Sequence, residues 1–236
     1  MMRTIIVDDE MHARDELEAI LAETGEFTIV AKCSNALDAL RDIRQHSPDV
    51  VFLDVQMPTV SGFELLSMID EDIMPRVVFV TAYDEYAVKA FEKDAVDYLI
   101  KPVQKERLAK TIRKLKENLE SRDTPAFVTP QLRNIPCVMT NRIKLVSLAE
   151  VDYVRSDLAG VYVVTPRGEF FTELTLRVLE TKTNLFRCHK QFLVNLEAID
   201  EIVLEDNLLA AIKLKSGATV PVSRRFLKKL KEQVGV

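Results

Sequence analysis

Over residues 1–119 the chain alternates short apolar runs with amphipathic stretches, and this alternation limits the folds open to it. The runs are RTIIV ahead of Asp8, FTIVAKC (27–33), DVVFLD (49–54), RVVFVT (76–81) and DYLI (97–100). A first amphipathic stretch begins near Met11 and carries Leu17, Ile20 and Leu21 at helical spacing. Others cover 35–45, 61–69 and 84–92, and a last one, 105–119, sets Leu108, Ile112, Leu115 and Leu119 on one face. Valine- and isoleucine-rich strands without polar alternation are buried on both faces, which is the signature of a parallel sheet covered by helices on each side. Five such units predict a flavodoxin-like, doubly wound α/β domain on a five-stranded parallel sheet.

The pattern then changes. The stretch SRDTPAFVTPQ has two prolines and no clean period, so a linker is placed at 120–131, between domains spanning 1–119 and 132–236. Beyond it lie short strand-like runs: IPCVMT, RIKLVS, VDYVRS, VYVVTP, EFFTEL, FLVNL, AAIKLK and TVPVS. Turn signals at 165–168 and 215–217 separate some of them. Helices are expected at 174–183 and 224–233, so the second domain is mainly antiparallel β. Charge divides with the fold. Residues 1–129 hold 16 basic and 25 acidic side chains, and residues 130–236 hold 16 and 12, which points to modules with different partners.

Several classes are disfavoured. No apolar run approaches the roughly 18 residues of a membrane span, and the N-terminus turns acidic too soon for a signal peptide. Three cysteines, Cys33, Cys137 and Cys188, lack CxxC spacing, and the three histidines are scattered. A disulfide framework or zinc site is therefore not expected, and a reducing cytoplasm fits the chain.

Chemistry concentrates at strand ends in the first domain. Asp8 and Asp9 follow the first run and Asp54 closes the third. In a doubly wound sheet these ends converge on one crevice. Carboxylates crowded there repel one another, and Mg2+ suits such a set of hard oxygen ligands. A carboxylate beside Mg2+ can act as a nucleophile toward phosphorus. Thr81 and Lys101 close the fourth and fifth runs on the same rim, where a hydroxyl and an ammonium could hold phosphoryl oxygens.

The ordered motifs VDDE (7–10), FLDVQMP (52–58), TAYDEYAV (81–88) and DYLIKP (97–102) resemble the receiver domain of bacterial two-component response regulators. The resemblance implies that Asp54 accepts a phosphoryl group from a sensor histidine kinase. It implies Mg2+ held directly by Asp9, Asp54 and the Gln56 backbone carbonyl, with Asp8 acting mostly through water. Lys101 would contact the phosphoryl group and precede a cis proline, and Thr81 and Tyr98 would form a switch pair that biases self-association. An aspartate-based phosphatase is the alternative, but that class places a second acid two residues after the nucleophile, where this chain has Gln56.

In the second domain, FRCHKQFLVNLEAIDEI (186–202) and TVPVSRRFLKKL (219–230) resemble the LytTR family of β-rich DNA-binding domains. The combination is similar to LytR-type regulators, which implies DNA reading from loops, paired repeat sites in double-stranded DNA and a homodimer on activation. Expected contacts are His189 and Lys190 in one loop, Arg224 and Arg225 before the last helix, and Ser156, Asp157 and Gly160 in a loop at 155–160. Arg can read guanine edges, and both Arg and Lys can contact phosphates. RNA or protein binding remains a third reading, although no aromatic-rich strand pattern suited to base stacking is present.

Overall fold

The computed structural model describes residues 1–82, 95–120, 131–140, 142–204 and 210–235. The chain divides into two compact units, Met1–Thr129 and Pro130–Val236.

The first unit holds β1 (Met2–Val7), α1 (Met11–Thr24), β2 (Phe27–Cys33), α2 (Ala36–His46), β3 (Val50–Leu53), α3 (Gly62–Met68), β4 (Arg76–Thr81), β5 (Asp97–Ile100) and α4 (Lys105–Glu120). All strand pairs are parallel, in the order β2-β1-β3-β4-β5. This is the flavodoxin-like order, with its switch point between β1 and β3. Every residue of β3 and β4 is buried, as expected of central strands covered on both faces. Leu17 and Leu21 of α1 share a core with Leu108, Ile112 and Leu115 of α4 around Phe27 and Phe52.

Leu119 leaves this pattern and is exposed. A helix of 16 residues is about 24 Å long, so its last turn outlasts the four-residue β5 beside which it starts. Asn35 caps α2 by accepting from the Asp38 amide, and Ser61 and Glu64 form a reciprocal capping box on α3. The helix expected at 84–92, together with most of TAYDEYAV, lies outside the described residues, as does the linker stretch 121–130.

The second unit is antiparallel throughout its described sheets. A hairpin, β6 (Asn134–Met139) and β7 (Arg142–Ser147), precedes β8 (Tyr153–Asp157), β9 (Gly160–Thr165) and β10 (Gly168–Thr172). Then come α5 (Leu176–Lys182), β11 (Phe186–His189), β12 (Phe192–Val194), β13 (Ile199–Leu204), β14 (Ala210–Leu214), β15 (Thr219–Val222) and α6 (Arg224–Val234). One sheet runs β10-β9-β8-β12-β11 and another β13-β14-β15. A core of Cys188, Val194, Ile212, Leu214, Val220, Val222 and Leu230 joins β11, β12 and the second sheet to α6.

Two strands have no counterpart in the sequence reading. The four residues of β11 are too few to establish a period, and β13 carries Asp200 and Glu201 in its first half, which breaks apolar alternation.

Candidate phosphoryl-acceptor site and DNA interface

The end of β1 and the end of β3 are tied together, because the Asp54 amide donates to the Val7 carbonyl at 2.8 Å. That bond sets Asp8 and Asp54 side by side at the switch point. Asp8, Asp9 and Asp54 can bring one carboxylate oxygen each within 4.8 Å of the others. Asp8 and Asp54 are buried, whereas Asp9 is exposed at the rim. The turn after β1 is clamped by Arg14, whose guanidinium donates to the carbonyls of Asp8 (2.6 Å) and Asp9 (3.1 Å). Sequence reasoning did not single out Arg14; only its position one turn into α1 marks it.

Lys101 spans two of the carboxylates. Its Nζ lies 2.5 Å from Asp8 Oδ2 and 2.9 Å from Asp54 Oδ2. The lysine is positioned by its own amide, which donates to the Thr81 carbonyl at 2.9 Å, and the following Lys101–Pro102 bond is cis. The remaining oxygens are also engaged: Asp8 Oδ1 accepts from the Glu10 amide at 3.0 Å and Asp54 Oδ1 from the Gln56 amide at 3.2 Å. Burial raises the Asp8 carboxyl, partly offset by the Lys101 contacts. Burial alone would lower the Lys101 pKa, but the hydrogen bonds its ammonium donates to Asp8 and Asp54 outweigh that and raise it.

Two further features complete the pocket. Thr81 Oγ1 is buried and has no hydrogen-bond partner among the described residues. A buried hydroxyl left without a partner costs stability, and this one belongs to the last residue of β4, at the carboxyl edge of the sheet. Gly62 lies close against Asp54, since a Cβ there would lie 2.2 Å from the Asp54 carbonyl oxygen. Tyr98 is buried on β5, and Gln56 is exposed. The clustered carboxylates of Asp8, Asp9 and Asp54 fit a hard divalent cation, and the Lys101 ammonium beside them suits an oxyanion.

The expected DNA contacts come together along one hairpin of the second unit. The Ser223 amide donates to the Cys188 carbonyl, and the Ser156 amide donates to the Gln191 carbonyl, both at 2.9 Å. The turn between β11 and β12 is thus bordered on one side by the start of α6 and on the other by the β8–β9 hairpin. Local placement differs from the sequence reading. His189 is the last residue of β11, with Lys190 in the turn after it. Arg224 and Arg225 open α6 instead of preceding it. Ser156 and Asp157 end β8 and Gly160 begins β9, so the loop between those strands is only Leu158 and Ala159. Antiparallel pairing continues to Asp157 opposite Gly160, which draws these residues into the ladder.

His189 is oriented by its neighbours. Its Nδ1 accepts from the Gln191 amide at 3.2 Å, which leaves the ring proton on Nε2, and its ring packs against Phe192 with centroids 5.7 Å apart. Burial, then the charge of Lys190, lowers its pKa, so the ring is neutral at pH 7. Lys190, Arg224 and Arg225 are exposed, and the Arg225 guanidinium lies 4.3 Å from the Phe226 ring centroid.

The comparisons with known proteins follow this division. Residues 4–113 match the response regulator receiver domain, and residues 141–235 match the LytTr DNA-binding domain. A response regulatory protein of Vibrio cholerae serotype O1 is 52% identical over 235 residues, covering 100% of this chain and 99% of its own. The chain belongs to the response regulators that join a receiver to a LytTR DNA-binding domain. The transcriptional regulatory protein BtsR of Escherichia coli K12 is 48% identical over 239 residues, with both chains fully covered. Among solved structures, the response regulatory domain of mrkE from Klebsiella pneumoniae is 35% identical, covers 51% of this chain and 100% of its own, and has a TM-score of 0.46.

Within the LytTR domain, Cys188 is fully buried and burial pushes its thiol up to about 12, so it is unsuited to act as a nucleophile beside His189. Cys33 and Cys137 are likewise buried free thiols. No described helix of this response regulator is long and apolar enough to cross a membrane.

Proposed function

We propose that this response regulator is switched by phosphorylation of Asp54 and, once switched, binds repeated sites in duplex DNA as a homodimer to control transcription. The observation that carries the reading is the Lys101 ammonium bridging Asp8 and Asp54; the buried Thr81 hydroxyl, which has no partner among the described residues, supports it. A carboxylate oxygen of Asp54 attacks the phosphorus of a phosphohistidine on a sensor kinase; the P–N bond breaks and an acyl phosphate forms on Asp54. Lys101 pairs with the new phosphoryl oxygens in place of the Asp54 carboxylate, and Thr81 donates its hydroxyl to another. Asp9, Asp54 and the Gln56 carbonyl would hold Mg2+, with Asp8 acting through water. When bound, Mg2+ neutralises charge on the carboxylates and the incoming phosphoryl group. Gln56 offers no acidic proton for turnover, which favours a stoichiometric acceptor over an enzyme.

Inward movement of Thr81 then biases Tyr98 and the face formed by roughly residues 84–119 toward self-association. Two LytTR domains held together gain avidity for paired repeats. In each, Lys190, Arg224 and Arg225 contact phosphates or guanine edges, His189 donates from Nε2, and Ser156, Asp157 and Gly160 border the groove. The domains at 1–119 and 132–236 act through the linker at 120–131, and the protein works in the cytoplasm.

The test is phosphoryl uptake from acetyl phosphate with Mg2+, followed by phosphate-affinity electrophoresis. The wild type shifts and Asp54→Asn does not. An Asp54→Asn variant that still acquires a Mg2+-dependent aspartyl phosphate overturns the assignment.

A further inference from the structure

We infer that Leu158 reads a thymine methyl group in the major groove, an inference that rests on the DNA-binding reading of the second unit. Leu158 is fully exposed, with a relative exposure of 110%. It sits with Ala159 at the tip of the two-residue β8–β9 connection. Such connections favour Asn, Asp and Gly, whose side chains or freedom of φ make the turn. Here the turn is made by its flanks. Asp157 Oδ1 accepts from the Ala159 amide at 2.7 Å, and Gly160 has φ +135°. The Leu158 side chain takes no part in the turn and packs on none of the described residues, so local structure does not explain a leucine at this position.

The hairpin is held stiffly behind its tip. A Cβ at Gly160 would lie 2.6 Å from the Phe171 ring, so the two pack in close contact. Phe171 meets Tyr162 edge-on, with centroids 5.7 Å apart, and the Arg155 guanidinium lies 4.5 Å from the Tyr162 centroid. Arg155 also pairs with Asp157 and Glu169. Pairing with Arg155 offsets the acidic charge of Asp157 next to the tip. A neutral, apolar, protruding residue has nothing to offer a phosphate.

It lies on the same edge as the cations, because Ser156 is bonded to Gln191, next to Lys190. The major groove admits a two-stranded β-ribbon and presents one apolar mark, the 5-methyl group of thymine, which apolar side chains contact. Leu158 therefore adds a base-specific, apolar contact to an interface whose other assigned side chains are polar or charged.

The test uses a duplex selected from a randomised pool by the full-length wild type with beryllofluoride and Mg2+. Each thymine is replaced singly by deoxyuridine, which removes only the methyl group, and affinities are compared for wild type and Leu158→Ala by fluorescence anisotropy. At one position per half-site, uridine weakens wild type about four-fold, the factor expected for burial of one methyl group. At that position Leu158→Ala binds thymine and uridine equally, and the thermal midpoint of the variant matches wild type. The inference is overturned if no thymine shows this dependence, or if Leu158→Ala loses affinity while keeping every uridine effect. Failure of the wild type to select any duplex would overturn the DNA-binding reading itself, a result separable from the other two.

Discussion

One ammonium serves two acids. Lys101 Nζ lies 2.5 Å from Asp8 and 2.9 Å from Asp54, so the end of β5 neutralises the ends of β1 and β3. Lys101→Met leaves these buried carboxylates facing each other. We expect a loss of about 2–3 kcal/mol, at the lower end for breaking a buried pair because Lys101 keeps some exposure. Mg2+ should raise the urea midpoint of the variant more than that of wild type, since the competing cation is gone. Equal Mg2+ effects on both proteins would contradict the shared site.

Gly62 sets how closely α3 approaches Asp54. In Gly62→Ala the added Cβ meets the Asp54 carbonyl oxygen at 2.2 Å, against backbone that cannot rotate away. The expected cost is about 2–3 kcal/mol, with slower phosphoryl uptake because Asp54 is displaced. Wild-type uptake and stability in this variant would show that the contact is unimportant.

Asp97 gives the receiver an acid limit. Its carboxylate is fully buried and is bound by Arg107 (2.5 and 2.7 Å), Lys114 (2.9 Å) and Thr111 (2.7 Å). Burial alone would raise its pKa, but those partners outweigh it and hold the carboxyl well below the usual range. A depressed carboxyl contributes stability above its unfolded value, about 3.9, and that stability fades as pH falls through the folded value. Asp97→Asn should therefore cost about 3 kcal/mol at pH 7. Its deficit should be unchanged at pH 5 and shrink below about pH 4. Urea midpoints across this range check the prediction; a deficit that changes between pH 7 and 5 would point to another group.

Lys190 is exposed in the turn beside His189. As a phosphate contact, Lys190→Ala should weaken binding to all duplexes alike and reduce the slope of log affinity against log salt by about 0.9. Loss confined to one sequence would instead make Lys190 a base reader.

The clustering of Asp8, Asp54 and Lys101 was legible because strand ends are fixed points. Once five apolar runs define a parallel sheet, Asp8, Asp54, Thr81 and Lys101 must share its carboxyl edge. The Asp97 network was not legible. Its members lie 10, 14 and 17 residues apart and meet only because α4 runs back along β5. In the LytTR domain, residue types suggested contacts, but register decides geometry. The ladder that carries Ser156 and Asp157 on β8 and Gly160 on β9 shortens the expected loop to Leu158 and Ala159. His189 was assigned to a loop because β11 is too short to show a period, and the hydrogen bond that sets its tautomer depends on the turn at Gln191.

In the proposed mechanism a phosphoryl group on Asp54 controls DNA binding by the second domain. The most direct measurement is footprinting on fragmented genomic DNA with wild type and Asp54→Asn, each with and without beryllofluoride plus Mg2+. Discrete paired repeats that sharpen with the phosphoryl mimic are expected for wild type, and footprints that stay weak are expected for Asp54→Asn. Footprints that ignore both the mimic and the substitution, or the absence of any duplex protection, would contradict that mechanism.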